Sequence, residues 1–237
     1  MIFRYVASCS LIVLATLFLT VKTHAQAAPA SEKKEEGAMV RIVCVQTLTG
    51  RDQPITFAKK TEDGKWIESG DLTLSSTIIS EWTRVPAGLN QIAKRSGAEL
   101  ISIGSFTISP TMKGAILILL PDKEKNGYRV QLIDPAKLEF RKGKALIVNY
   151  SKIPALVKMG AKSNTVASGQ QVVETITADA NGMYPMLIGY LDADKKTVLC
   201  YDRRVSSNPS TRTFILLFSD PDTGLRAMTL SEFGPFE

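Results

Sequence analysis

The chain carries one histidine, His24, and its position removes even that one. Residues 1–25 read as an export leader: Met1 to Arg4 form a charged start, Tyr5 to Val21 an apolar run, and Ala25 or Ala27 a small-residue cleavage point. A chain cut there has no imidazole. This excludes Ser-His-Asp and Cys-His catalysis, histidine-ligated zinc and imidazole pH switching. An uncleaved leader is the alternative, because the run approaches the ~20 residues that span a bilayer. A membrane contact would then pass through the leader alone. Val6-Ala7-Ser8-Cys9 is no lipid-attachment box, since its cysteine precedes the hydrophobic run.

A surplus of either charge sign is also small. Lysine and arginine number 29 against 23 acids, a net charge of +6, and the leader, holding Arg4 and Lys22 and no acid, takes two of those positive charges with it. The remaining surplus is spread thinly, so no basic stripe of the nucleic-acid kind forms. Aromatic residues are only 7% of the chain. A β core would absorb most of Trp66, Trp82, Tyr128, Tyr184, Tyr190 and Tyr201, leaving little for a sugar-stacking platform. Helical periodicity is nearly absent, and the best window, Leu89 to Arg95, predicts a turn or two of helix at most.

Cysteine is sparse as well. Beyond Cys9, Cys44 and Cys200 both lie in apolar runs. An oxidising compartment allows them to pair, closing a long loop worth about 4 kcal/mol in the chain-entropy account. Two separately buried thiols are the other reading.

What the chain has in quantity is strand-like texture. Gln26 to Gly37 is polar, charged and aperiodic, and reads as a flexible linker. From Ala38 onward, Met39–Leu48, Glu99–Ser109, Gly114–Leu120, Tyr128–Asp134, Gln171–Ala178, Tyr184–Leu191 and Arg212–Phe218 are short runs rich in aliphatic and β-branched residues. Asp63-Gly64, Asn126-Gly127 and Asn181-Gly182 supply hairpin-type turns between them. Lys144 to Gly160 reads as a strand buried on one or both faces, a bend over Ser151 to Pro154, and a returning strand.

The pattern also repeats. Gly114–Asp134 aligns with Thr213–Glu232, an aliphatic strand, an Asp-containing turn and an alternating strand. Val40–Lys60 echoes Lys144–Lys162, and the paired segments occur in the same order. These observations predict an all-β protein of two tandem small β-sandwiches, Ig-like or similar, over residues 38–135 and 143–237. One larger sandwich is the alternative.

Candidate sites are few. Ser31-Glu-Lys-Lys34 has the S-x-x-K spacing but falls in the linker, where nothing desolvates the lysine. Asp220-Pro-Asp222-Thr-Gly224 starts like a calcium loop, yet Leu230 stands where the bidentate glutamate belongs. Asp192-Ala-Asp194 is followed by Lys195 and Lys196, which oppose a cation. Both read as solvated turns. No catalytic residue, metal ligand or cofactor site follows. A carboxylate pair of the glycosidase kind leaves no local pattern and is recognised only in space. The polar stretch Tyr201, Asp202, Arg203, Arg204, continuing to Ser210, reads as a possible binding loop, with Thr61 to Ser69 as a second such place.

Over Phe140–Gln170 and Tyr201–Gly224 the chain resembles a group of uncharacterised secreted bacterial tandem β-sandwich proteins. The shared features are Gly143, the strand Leu146-Ile147-Val148-Asn149 and Gly160 after the return. The resemblance implies location and fold and carries no catalytic signature. Two-sandwich periplasmic pilus chaperones are similar in length, leader and basic balance, without a clear match to their edge-strand pattern. The expectation is an exported, periplasmic or secreted, non-catalytic envelope-associated module. Its partner would be an envelope protein or polymer and not a nucleic acid. Chaperone-like β-strand addition is the runner-up, and a carboxylate-based glycan hydrolase the less favoured third reading.

Overall fold

A computed structural model describes residues 37–233. The leader, His24, Cys9, nearly all of the predicted linker and Ser31–Lys34 lie outside the described residues. Those described are all-β, with sixteen strands and no helix.

Four four-stranded sheets account for every strand. The first half gives one sheet of β4 (Thr83–Pro86), β1 (Gly37–Cys44), β7 (Gly114–Asp122) and β8 (Gly127–Ile133), in that order. Its second sheet runs β3 (Trp66–Leu74), β2 (Gln53–Lys60), β5 (Gly88–Ser96), β6 (Glu99–Ile108). The second half repeats the arrangement strand for strand. One sheet is β12 (Gln171–Thr175), β9 (Lys144–Asn149), β15 (Arg212–Asp220), β16 (Gly224–Glu232), and the other β11 (Lys162–Val166), β10 (Ala155–Met159), β13 (Met183–Leu191), β14 (Thr197–Ser206). The aligned sequence segments occupy matching places, β1–β2 with β9–β10 and β7–β8 with β15–β16. In each half the first strand pairs parallel with the seventh and not with the second, unlike the immunoglobulin order. Leu89–Arg95 is extended within β5: Ile92 faces the core, and the small Ala93 on the opposite face is buried as well.

Three apolar layers hold the sheets together. One fills the first sandwich, around Phe57, Ile92, Phe106 and Leu117. Another fills the second, around Val157, Tyr184, Ile188 and Leu217. The third lies between the sandwiches and joins Val43, Ile116, Ile118, Leu120 and Ile133 to Leu146, Val148, Phe214 and Leu216. The sheets of β1/β7 and β9/β15 therefore bury both faces. This is why Arg41–Cys44, Ala115–Leu120, Ala145–Asn149 and Arg212–Leu217 are continuously buried and read as unbroken apolar runs, while strands of the outer sheets alternate. Each valine, leucine, isoleucine or phenylalanine of these runs contributes about 1.5–3 kcal/mol when buried, and the middle layer places both sandwiches in one compact unit.

The connection between the halves is part of that layer. The Asp134 carboxylate accepts hydrogen bonds from the amides of Ala136 and Lys137 and opens a tight turn. Phe140 then enters the layer edge-on to Phe214, ring centroids 5.1 Å apart. At one end of the interface Gln131 of β8 donates to Gln171 of β12 at 3.2 Å. At the other, Arg41 of β1 meets Glu232 of β16. The halves thus pack face to face.

Their equivalent corners differ. The bulges of β6 and β14 fall at matching positions, with Ile103 and Cys200 as the extra residues, so Gly104 corresponds to Tyr201. At Gly127, which opens β8, an added Cβ would lie 2.7 Å from the Ile103 carbonyl oxygen, and one at Gly104 3.0 Å from the Val130 side chain. Strands β6 and β8 touch there and close the first sandwich. In the second, Gly224 instead meets the Tyr190 ring, and Tyr201 takes the place of the permissive glycine. A side chain, not backbone, fills that corner. Gly127→Ala is expected to lower stability by about 1–3 kcal/mol through overpacking, read as a shifted urea midpoint. Gly104→Ala has a side chain to push against and is expected to cost less.

Candidate functional site

The densest charge cluster is buried. Arg41 interrupts the apolar run of β1, and Arg212 opens that of β15. Both reach Glu232, whose side chain is fully buried. Arg41 Nη1 donates to Oε1 at 2.8 Å and Arg212 Nε to Oε2 at 2.7 Å. Arg41 Nε also donates to the Ser80 carbonyl at 2.8 Å, and Arg212 Nη1 to the Phe140 carbonyl at 3.2 Å. Each guanidinium stacks on a ring, Arg41 on Trp82 at 4.9 Å and Arg212 on Phe140 at 5.0 Å. Burial pulls Arg212 below its ordinary pKa, against the opposing pull of Glu232. With both oxygens engaged and no exposed surface, the carboxylate is placed to clamp the two sandwiches rather than to exchange protons with a substrate.

Shallow clefts flank the segment Thr77–Glu81. One, of about 540 Å³, lies over the clamp and is lined by Arg41, Ile78, Glu81, Leu230 and Phe233. The other, of about 450 Å³, holds Asp52, Asp71 and Glu81. Among the described residues no group of three or more His, Cys, Asp or Glu side chains is placed to hold a metal ion.

The residues singled out in the sequence are dispersed. Tyr128 and Tyr184 lie in different cores, Tyr190 and Tyr201 pack against the second core, and Trp82 packs against the middle layer, so they form no shared platform. Asp220 is a turn former: its carboxylate accepts from the amide and hydroxyl of Thr223 and from the Asp222 amide, bonds that hold its pKa below the usual carboxylate range. Asp192 accepts from the Lys196 amide in the same way. Thr61–Lys65 is likewise a hairpin turn, closed by the Thr61 amide on the Lys65 carbonyl, and β3 begins at Trp66.

Cys44 and Cys200 do not pair. They belong to sheets separated by a third, so the ~10 Å spacing between stacked sheets puts them about 20 Å apart, against the ~7 Å Cα limit of a disulfide. Burial pushes the Cys44 thiol up to about 11, and it raises Cys200 as well. A thiol reagent at pH 8 is therefore expected to modify partly exposed Cys200 before Cys44. Both should react in urea without prior reduction, as measured by mass spectrometry.

Tyr201–Arg204 is not a loop. It lies within β14, and the run of charges mimics a loop because β14 is an edge strand that pairs only with β13, where charged side chains reach solvent at little cost. Tyr201 turns to the core. Asp202 and Arg204 lie on the outer face, opposite Leu187 and Pro185, and Arg204 pairs with Asp179. Asp179 also accepts from the amides of Asn181 and Met183, and those backbone bonds are the main reason its pKa is lowered.

On this outer face Leu156 stands opposite Gly189, and Gly189 opposite Leu199. Leu187 and Leu191 flank Gly189 along β13. Leu191 and Leu199 are 52% and 49% exposed. Matching register assigns the equivalent positions of the first sandwich to Thr56, Ala93, Ser102, Gln91 and Arg95. The second sandwich therefore carries four leucines around a glycine where the first carries threonine, serine, glutamine and arginine. Such an apolar concentration on an outer face marks a contact surface more often than a core. Local sequence does not reveal it, because each leucine sits singly in an alternating strand and only cross-strand register gathers them.

No family model and no curated protein matches the chain. Among solved structures, a leucine-rich repeat protein from Bacteroides thetaiotaomicron VPI-5482 is similar at 13% identity, over 77% of this chain and 26% of that one, with a TM-score of 0.25. This chain thus spans about a quarter of that protein, and an overlap this loose assigns neither family nor activity.

Proposed function

We infer that the chain is an exported, non-catalytic, envelope-associated binding or structural module, and that it engages its partner through the outer face of the β10–β13–β14 sheet. The observation that carries this reading is the leucine group Leu156, Leu187, Leu191 and Leu199, which replaces polar residues at matched positions of the first sandwich. The leader supports export, and the engaged Glu232 carboxylate supports a structural use of the most prominent ionisable cluster. The partner is an envelope protein or polymer with an apolar surface.

The test is a Leu191→Glu/Leu199→Glu variant produced in the native host. It is expected to keep the wild-type circular dichroism and unfolding midpoint, since both side chains are exposed, and to lose retention in the envelope fraction. Unchanged retention, or turnover of an envelope polymer by the purified chain at an enzymatic rate, contradicts the reading. A second reading, β-strand addition to a secreted partner, is favoured by the uncovered edge of β14 and predicts a stoichiometric complex that survives the leucine substitutions.

A further inference from the structure

The edge of β14 has a property that neither reading uses: after its bulge, the strand is self-complementary. The extra residue Cys200 ends the irregular part, so the regular edge runs from Tyr201 to Ser206. Opposed residues of an antiparallel pair share a face, so a two-fold axis joining two such edges into one sheet must lie midway between a residue and the same residue of the other copy. With the axis at Arg203, Asp202 of each copy faces Arg204 of the other on the outer side, and Tyr201 faces Val205 on the core side. An axis at Asp202 opposes two aspartates, and one at Arg204 opposes two arginines without a compensating pair. An axis at Tyr201 forms no charge pair at all.

We propose that two copies of this chain associate through antiparallel pairing of their β14 edges with Arg203 at the two-fold axis, joining two four-stranded sheets into one of eight. Edge charges ordinarily keep unlike strands away. Here they are ordered so that the chain's own edge matches them twice. Arg204, already beside Asp179, would lie between two carboxylates. The two Arg203 side chains oppose each other at the axis on the core side, opposite Met186, where each is exposed and remains hydrated. The first sandwich lacks this option, because β6 meets β8 along its corner. Pairing of this kind uses the edge alone and stands apart from any partner of the leucine face.

A single edge pair buries less than a standard interface, so a dissociation constant of roughly 1–100 μM is expected, measured by sedimentation equilibrium on the purified chain. Asp202→Lys and Arg204→Glu should each weaken self-association by about tenfold or more, since like charges directly opposite are unfavourable. An equimolar mixture of the two variants should form a heterodimer, because the introduced lysine then faces the introduced glutamate while the retained Arg204 faces the retained Asp202. In a Cys200→Ser background, Arg203→Cys should oxidise to a covalent dimer, whereas Val198→Cys should not. A chain that stays monomeric to about 300 μM, or a dimer indifferent to both charge reversals, overturns the proposal. So does a mixture of the variants no more associated than either alone, or an Arg203→Cys variant that forms no cross-link. Unchanged circular dichroism separates these results from misfolding.

Discussion

Glu232→Ala is expected to cost about 3–5 kcal/mol, because it leaves the buried Arg41 and Arg212 guanidiniums beside each other with no counter-charge. An asymmetry follows. Replacing all three members together with apolar residues of similar length, as in Arg41→Met/Arg212→Leu/Glu232→Met, removes the desolvation cost along with the attraction. That variant is expected to lie within about 1 kcal/mol of the parent or to be more stable by up to about 4 kcal/mol. Urea midpoints of the parent, single and triple variants decide it. If the triple variant is as unstable as the single one, the Glu232 carboxylate stabilises the junction by more than neutralising two buried cations.

Phe214→Ala is expected to cost about 3–5 kcal/mol and to do so in both sandwiches at once. Phe214 belongs to the second half, yet its ring packs in the middle layer with Phe140 and near Ile116 and Ile118. Both tryptophans, Trp66 and Trp82, belong to the first half. Trp66 lies in the outer sheet and Trp82 packs against the middle layer, so tryptophan fluorescence reports the first sandwich and its side of that layer, and far-ultraviolet circular dichroism reports both sandwiches. A shared middle layer requires the two transitions to coincide before the substitution and to move together after it. A fluorescence transition that stays in place while part of the dichroism moves shows two independently folding units.

Much of this architecture is written in the hydrophobic pattern. Lys144–Asn149 reads as a doubly buried strand because a sheet covered on both faces has no polar side to show, and the inner strands of both halves carry that signature. The repeated strand-turn-strand segments fall at equivalent topological positions because the same contacts are needed twice. Turn chemistry at Asn126-Gly127 and Asp220–Gly224 is legible because backbone geometry restricts which residues fit.

What escapes depends on residues distant in sequence. Arg41 and Glu232 are 191 positions apart, and the one available hint is an arginine inside each of two apolar runs. Tyr201–Arg204 reads as a loop because charge density says only that side chains reach water, and an edge strand satisfies that as readily as a loop. The Cys44–Cys200 pairing fails because sequence gives no measure of the intervening sheet. The leucine face requires cross-strand register, which local periodicity does not supply.

Whether the second sandwich's outer face is the surface that meets a partner is tested most directly by site-specific photo-crosslinking in the native envelope. The reactive group is placed at Leu199 and, for comparison, at the matched Ser102 of the first sandwich. The prediction is a discrete covalent adduct from position 199 and none from 102. Equal labelling at both positions, or adducts from 102 alone, contradicts it.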